Sequence, residues 1–332
     1  MTLDKPIQIT EQNWPSGTAP VLSVFNWVYN HKDFIRESIE SILIQKTNFP
    51  VEIIIHDDAS NDGTREIILE YQEKHPQLFR NVLHDENQWS QGKSVMTPLF
   101  EMPKGKYIAL THGDDYWTDP YKLQKQVGFL EGNADYSICF HNVQILKRGD
   151  FLKDYLTKKV QTSTSIQDLA YGNYMHTHSV VFRNNNDIFE KCTWLSEIKA
   201  VDYSLHLINA QVGKIKKLDD VMAVYRIHDT NIWANKSSIQ INLNVFDDLF
   251  NLCDKFQPFI NEILLERLEG LGHLLINDFS KEGKEKEALE IMIKLIEKNP
   301  QKHLKNYFNS LQLKTGRYHL NEAWKLLLKR LK

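Results

Sequence analysis

The sequence predicts an α/β fold: a mostly parallel central sheet with helices on both faces, followed by an all-helical C-terminal region. Three observations carry this. Short β-rich runs alternate with helical stretches from about residue 20 to 130; those runs end in acidic or polar loops; and from about residue 236 the strand signals stop.

The elements follow in order. "VLSVF" (21–25) is a strand, and "DFIRESIESILIQK" is a helix with Ile35, Ile39 and Ile42 on one face. "VEIIIH" (51–56) repeats the pattern, followed by the loop "DDASNDGT" and the helix "REIILEYQEKH", which Pro76 stops. A strand near "NVLHDE", a helix over roughly 93–102 and the strand "YIALT" (107–111) extend it. A helix opens at Asp119-Pro120, with an acid at the N-cap and proline in the first turn, and "YSICFHNVQIL" is the next strand. Residues 150–175 read as polar and irregular. "HSVVFR" (178–183) is a strand, "DYSLHLINAQVG" a helix with Asp202 at its N-cap, and "KIKKLD" with "VMAVYRIH" two further strands. The tail gives only helices, ending in "LNEAWKLLLKRLK".

A chain of 332 residues, 42% hydrophobic, is long enough for one large α/β domain and a smaller appendage. The formal charge of −3 argues against a partner held by broad phosphate neutralisation, so no nucleic acid is expected. Three scattered cysteines give neither a disulfide framework nor a zinc knuckle. No stretch is apolar over the roughly 20 residues needed to span a bilayer, and the start lacks a signal-peptide pattern. The expectation is a cytoplasmic protein, with peripheral contact to the inner membrane face left open.

Two acid pairs close two of the strands: Asp57-Asp58 and Asp114-Asp115. In a parallel sheet, ligands bind where strand ends converge, so both pairs belong to one crevice. Hard oxygen ligands there suit Mg²⁺ or Mn²⁺ bound with a substrate's phosphates. Each pair alone reads first as a loop-capping turn; together, at successive strand ends, they point instead to a cation.

The ordered set "SVFNWVYNHKDFIRESIESILIQ", "EIIIHDDASNDGTREII", "GKYIALTHGDDYWTDPYKLQKQ" and "VDYSLHLINAQVGKIKKLDDVMAVYRIH" with "NIW" resembles the inverting family 2 glycosyltransferases over about residues 20–233. It looks most like bacterial members with a Y-R-x-H element that build surface polysaccharides. The resemblance implies a GT-A, Rossmann-like fold and a division into a nucleotide-sugar-binding and catalytic domain (1–235) and a helical region (236–332) for acceptor, partner or membrane contact. It implies that Val28, Tyr29 and Asp57, with Asp58 beside them, hold the nucleotide of a UDP-sugar, and that Lys93 lies near it. Asp114 and Asp115 match the metal-binding acids. The family pattern is D-x-D, whereas here Gly113-Asp114-Asp115-Tyr116 stands, so Asp114 is a candidate for both metal and ribose. Asp202 matches the base that takes the acceptor proton; the acid that often precedes it is Val201 here, and a plain N-cap role stays open.

Arg226 and His228 alternate along "YRIH" and face one side, a guanidinium suited to diphosphate and an imidazole suited to metal or phosphate. His176 and His178 would share a strand face, with His178 at an acceptor pocket; His112 shapes the acid loop. Trp233 is a candidate for stacking on sugar or acceptor. In the last helix Leu320, Trp324, Leu327 and Leu331 oppose Lys325, Lys329 and Lys332, which suits either an anionic membrane surface or docking by the apolar side. The Q-x-x-R-W element of processive members is absent, so transfer of a single sugar to a glycan or lipid-linked hydroxyl is expected. A nucleotidyltransferase would want a glycine- and lysine-rich first loop, which "NWVYNH" is not; a non-catalytic glycan- or protein-binding module would not need the full acid set. Donor sugar, acceptor, linkage and oligomeric state are not written in these motifs.

Overall fold

The computed structural model describes residues 2–300 and 302, except 94, 96, 155, 158, 186–191, 193, 196, 197, 199, 200 and 232–235. Chain contacts divide it into two compact units, Met1–Glu197 with Val201–Asn231, and Ile198–Ala200 with Ile232–Lys332.

The first unit runs β1 (Ile7–Gln8), β2 (Leu22–Val28), α1 (Ile35–Leu43), β3 (Lys46–Thr47), β4 (Val51–Asp57), α2 (Thr64–Lys74), β5 (Val82–Leu83), α3 (Thr97–Glu101), β6 (Tyr107–His112), β7 (Tyr116–Trp117), α4 (Lys122–Gly132), β8 (Tyr136–Lys147), β9 (Asp150–Leu152), β10 (Ser163–Thr164), α5 (Ile166–Ala170), β11 (Val181–Arg183), α6 (Val201–Ala210) and β12 (Lys214–Ile227). The main sheet has the order β10-β12-β8-β11-β6-β2-β4-β5. Its β6-β2-β4-β5 half is parallel throughout. The other half is mixed: β11 lies antiparallel to both β6 and β8, while β12 runs parallel to β8. The expectation of a mostly parallel sheet therefore holds for one half only.

Burial explains the strand sequences. All seven residues of β4 are buried, as in a strand covered on both faces, and its centre is the apolar run Ile53-Ile54-Ile55. Helix α1 lays Ile35, Ile39 and Ile42 into the same core as Val24 of β2 and Ile53 and Ile55 of β4. Gly105 begins the approach to β6 where an added Cβ would stand 2.6 Å from the backbone nitrogen of Ser23, so only glycine fits there.

Local departures from the sequence reading have local causes. "KIKKLD" and "VMAVYRIH" form one strand, β12, because Asp219 and Asp220 are absorbed as irregular register between Leu218 and Ala223 while pairing to β8 continues. Helix α4 starts at Lys122, and Asp119 instead accepts the Tyr121 amide at 2.8 Å in the preceding turn. The helix expected over 93–102 is α3, five residues long, and the strand near "NVLHDE" is the two-residue β5. The irregular stretch 150–175 contains β9, β10 and α5.

The second unit has α7 (Ser238–Leu252), α8 (Pro258–Lys281) and α9 (Glu285–Lys298). A capping box between Ser237 and Gln240 starts α7. Phe246 and Leu249 of α7, Leu264, Leu268 and Leu275 of α8, and Ile291 and Leu295 of α9 are buried. Gly272 lets the helices close: a Cβ there would meet Leu295 at 2.9 Å and Phe246 at 3.0 Å. The terminal amphipathic stretch from Leu320 to Lys332 lies outside the described residues.

Candidate active site

The chain leaves β2 to α1 and β4 on one side, and β6 lies against the other side of β2. This reversal of strand order puts the two acid pairs at the carboxyl ends of the strands flanking β2, about 10 Å apart at two strand spacings.

At the end of β4, Asp57 is buried. Its Oδ2 pairs with Nε of Arg65 at 3.1 Å, and its Oδ1 accepts the Ser60 amide at 3.2 Å. Asp58 accepts the amides of Gln88 and Trp89 at 2.6 and 3.1 Å, and its own amide donates to the carbonyl of Val28 at 3.0 Å. These acids thus tie the ends of β2 and β4 to the 84–91 segment. Val28 is buried, Tyr29 is 45% exposed and Lys93 is exposed.

At the end of β6, Gly113 donates to the carbonyl of Trp27 at 2.9 Å, which folds the acid loop back over β2. Oδ2 of Asp114 lies 3.1 Å from both Nε2 of His228 and Nδ2 of Asn231, and 3.8 Å from Nε2 of His31. Burial opposes ionisation of Asp114, but the His228 contact and the nearby histidines hold it below the usual carboxylate range.

Asp115 behaves oppositely. It is 1% exposed, and its Oδ1 accepts the Arg226 amide at 2.9 Å. Nδ1 of His178 approaches Oδ2 to 2.9 Å, yet without hydrogen-bond alignment, so Oδ2 has no donor. Burial and then the Asp114 charge push the Asp115 carboxyl up to about 8. Burial also keeps His178 well below its ordinary value, so its ring is neutral and supplies no counter-charge. One ligand atom from each of His112, Asp114 and Asp115 lies within 4.8 Å of the others. A buried carboxylate oxygen without a donor, beside a second acid and an imidazole, fits a divalent cation.

Arg226 braces this loop. Its Nη1 donates to the carbonyl of Asp114 at 2.7 Å, its Nη2 pairs with Glu37, and its guanidinium carbon lies 4.3 Å from the Tyr116 ring centre. His228 reaches Asp114 and packs its ring 4.5 Å from Phe34.

Asp202 lies in the first turn of α6 rather than at its N-cap; its Oδ1 accepts the Tyr203 amide at 2.8 Å. Its Oδ2 accepts the Thr177 hydroxyl at 3.0 Å. Residues Thr177–Ser179 form a 3-10 turn, so His176 and His178 do not share a strand face. The turn sends three consecutive side chains to three acids: His176 to Asp154 at 3.2 Å, Thr177 to Asp202, and His178 to Asp115. His178 is stacked against Tyr225, ring centres 5.8 Å apart, and buried beside Asp115, so it presents no exposed surface to an acceptor. Trp233 lies outside the described residues.

Sequence reasoning missed Thr177, Glu37 and Asp154. Their partners lie 25, 189 and 22 residues away, and no spacing signals them. His112, read only as shaping the loop, joins the candidate ligand set; its place directly before the acid pair was the available signal.

A half-parallel mixed sheet with a switch point at β2 and acidic loops at its strand ends is a GT-A-type arrangement. The chain belongs to glycosyl transferase family 2, whose model matches residues 23–192. It is 38% identical over 219 residues to the Mycobacterium tuberculosis protein Rv1520, covering 64% of this chain and 60% of that one. The chain thus spans about 60% of the length of this relative and of two further curated mycobacterial relatives that it matches. It is 29% identical over 218 residues, 65% of this chain and 81% of the relative, to the Escherichia coli UDP-Glc:alpha-D-GlcNAc-diphosphoundecaprenol beta-1,3-glucosyltransferase WfaP. The fold matches that of Staphylococcus aureus TarS residues 1–349 in complex with UDP, with a TM-score of 0.61 at 16% identity over 84% of this chain and 81% of that one. No helix among the described residues is long and apolar enough to cross a membrane.

Proposed function

We infer that the protein is an inverting, Mg²⁺- or Mn²⁺-dependent glycosyltransferase that moves one sugar from a UDP-sugar to a hydroxyl of a glycan or lipid-linked acceptor in surface polysaccharide biosynthesis. The observation that carries this reading is the Asp115 Oδ2: a carboxylate oxygen buried beside Asp114 and His112 with no donor of its own. The UDP in the TarS complex and the UDP-Glc and diphosphoundecaprenol in the name of WfaP support donor and acceptor class.

Asp115, Asp114 and either His112 or His228 hold the cation. A bound divalent ion stabilises the charge that develops on the departing diphosphate. Val28, Tyr29, Asp57 and Asp58 form the nucleotide wall, with Lys93 at its edge. Arg226 fixes the acid loop through the Asp114 carbonyl and the Asp115 carboxylate. As the acceptor oxygen bonds to the anomeric carbon, the bond to the UDP oxygen breaks, and the hydroxyl proton passes to Asp202. Attack opposite the leaving group inverts the anomeric centre. The helical unit, and the Leu320–Lys332 stretch beyond the described residues, are assigned to acceptor, partner or membrane contact.

UDP release from a panel of UDP-sugars, with and without Mn²⁺, tests the reading. It fails if no UDP-sugar binds and Asp115→Ala changes nothing. Asp202→Asn is expected to keep UDP binding and to abolish transfer; retained transfer removes Asp202 as the base.

A further inference from the structure

Beside the Arg226–His228 wall lies an open cleft of about 290 Å³, whose lining includes Phe34, Leu146, Arg148, Arg226, His228 and Asp229. Its outer side is the hairpin of β8 and β9, in which Leu146 pairs with Phe151 and Ile145 with Leu152. All three residues of β9 are exposed, Phe151 by 55%, so the arm carries apolar side chains out beside the cleft.

The turn of this hairpin is Arg148-Gly149, and both residues have positive φ, +52° and +89°. A two-residue turn with both φ values positive favours asparagine followed by glycine, because a Cβ and long side chain are strained at the first position. The sequence keeps arginine at that strained position. The guanidinium is 81% exposed at the rim of the cleft, and its pairing with Asp229 at 3.9 Å joins two exposed groups, a contact that stabilises little. The cleft mouth thus carries an exposed, weakly paired guanidinium in a strained backbone conformation, available to a ligand.

We propose that this cleft is an acceptor subsite for a phosphate-bearing amphiphile: Arg148 takes the phosphate, and Phe34, Leu146 and the adjoining Phe151 take the apolar part. A guanidinium fork matches phosphate oxygens in pairs. Arg226 and His228 line this cleft and also contact Asp114, so a ligand seated there lies next to the acid loop. This rests on the glycosyl-transfer reading with a lipid-linked acceptor.

The test is binding of dodecyl phosphate, inorganic phosphate and dodecyl maltoside to the full chain with saturating UDP and Mg²⁺, after UDP binding itself has been measured. Dodecyl phosphate is expected to bind at least about tenfold more tightly than either other probe, the gain typical of one charge-assisted contact. Arg148→Asn is expected to lose about tenfold for dodecyl phosphate and nothing for dodecyl maltoside, while its melting temperature rises because asparagine accepts positive φ more readily. Arg148→Lys, which leaves the backbone demand unchanged, is expected to bind dodecyl phosphate between wild type and Arg148→Asn. Equal binding by all three proteins, equal affinity for the phosphate and the maltoside, or a lower melting temperature for Arg148→Asn overturns the proposal. Failure of UDP to bind would sink the donor reading, while the effect of Arg148 on dodecyl phosphate still decides this one.

Discussion

The hydroxyl of Thr177 donates to Oδ2 of Asp202 across 3.0 Å, and the Tyr203 amide holds the other oxygen at 2.8 Å. The carboxylate assigned as base therefore has its orientation fixed from two sides, one of them a side chain from a different part of the chain. Thr177→Val keeps shape and removes the donor. Lost orientation is expected to lower kcat about tenfold or more with the donor KM unchanged. Thr177→Ser is expected to restore most of it. A change in donor KM alone, or no serine rescue, would leave Thr177 a packing residue.

Asp115 sets a pH dependence with a definite sign. Its folded carboxyl is pushed up to about 8, against the ordinary carboxylate value near 4 when unfolded. Between those values the folded protein holds a proton that the unfolded chain has lost, so stability falls as pH rises and levels off above 8. His31, His56, His141, His178 and His206 are all lowered by burial, which gives the opposite slope below their ordinary value of 6.5. Lys122, buried and lowered to about 7, also stabilises the fold as pH rises above 7, so the histidines and Lys122 together oppose Asp115 over this range. The Asp115 contribution is therefore read by difference: relative to Asp115→Asn, the metal-free protein is expected to lose about 1–2 kcal/mol between pH 6.5 and 8, roughly 1–4 °C in melting temperature. Mn²⁺ is expected to offset that loss, because the ion displaces the proton and binds more tightly as pH rises. Melting curves of both proteins, with and without Mn²⁺, check this; a difference between them that does not fall as pH rises contradicts the assignment.

How much of this was legible depended on distance along the chain. β2, β4 and β6 were readable because each is a compact apolar run, and the acid pairs were readable because they directly follow β4 and β6. The mixed half of the sheet was not: β11 is only three residues long, and it runs antiparallel between β6 and β8. Nothing in "VFR" states that direction. The "HTH" triplet looked like strand alternation, while its meaning as a turn lies in three acids scattered from Asp115 to Asp202. Arg226 was found by its residue type, but its hold on a backbone carbonyl belongs to tertiary structure alone.

Gly113 controls how closely the acid loop packs. A Cβ at this position would lie 2.7 Å from Nδ1 of His31, 3.0 Å from Cγ2 of Val28 and 3.1 Å from Cδ1 of Ile35. Three neighbours would have to give way at once, and Ile35 is anchored in the core. Gly113→Ala is expected to cost about 1–3 kcal/mol of stability. The same shift moves Asp114 and Asp115, so Mn²⁺ affinity should fall in parallel. Denaturant titration and Mn²⁺ binding on one preparation check this; an unchanged metal affinity would mean that the loop absorbs the methyl group elsewhere.

Arg226 and Glu37 form an ion pair whose two members should differ sharply in importance. The Glu37 side chain is 57% exposed, so the pair itself is screened by water and stabilises by about 0–1 kcal/mol. Arg226 is mostly buried and does three further things: it donates to the Asp114 carbonyl, lies over Tyr116 at 4.3 Å, and faces Phe34 at 5.4 Å. A lysine offers no planar fork and stacks poorly on an aromatic ring. Glu37→Gln is therefore expected to change stability by less than about 0.5 kcal/mol, whereas Arg226→Lys is expected to cost about 1–3 kcal/mol through the lost carbonyl contact and ring packing. Arg226→Lys should also weaken Mn²⁺ binding, since the backbone that presents Asp114 and Asp115 loses its brace. Equal costs for the two substitutions, read from denaturant midpoints, would show that the ion pair and not the brace is what Arg226 contributes.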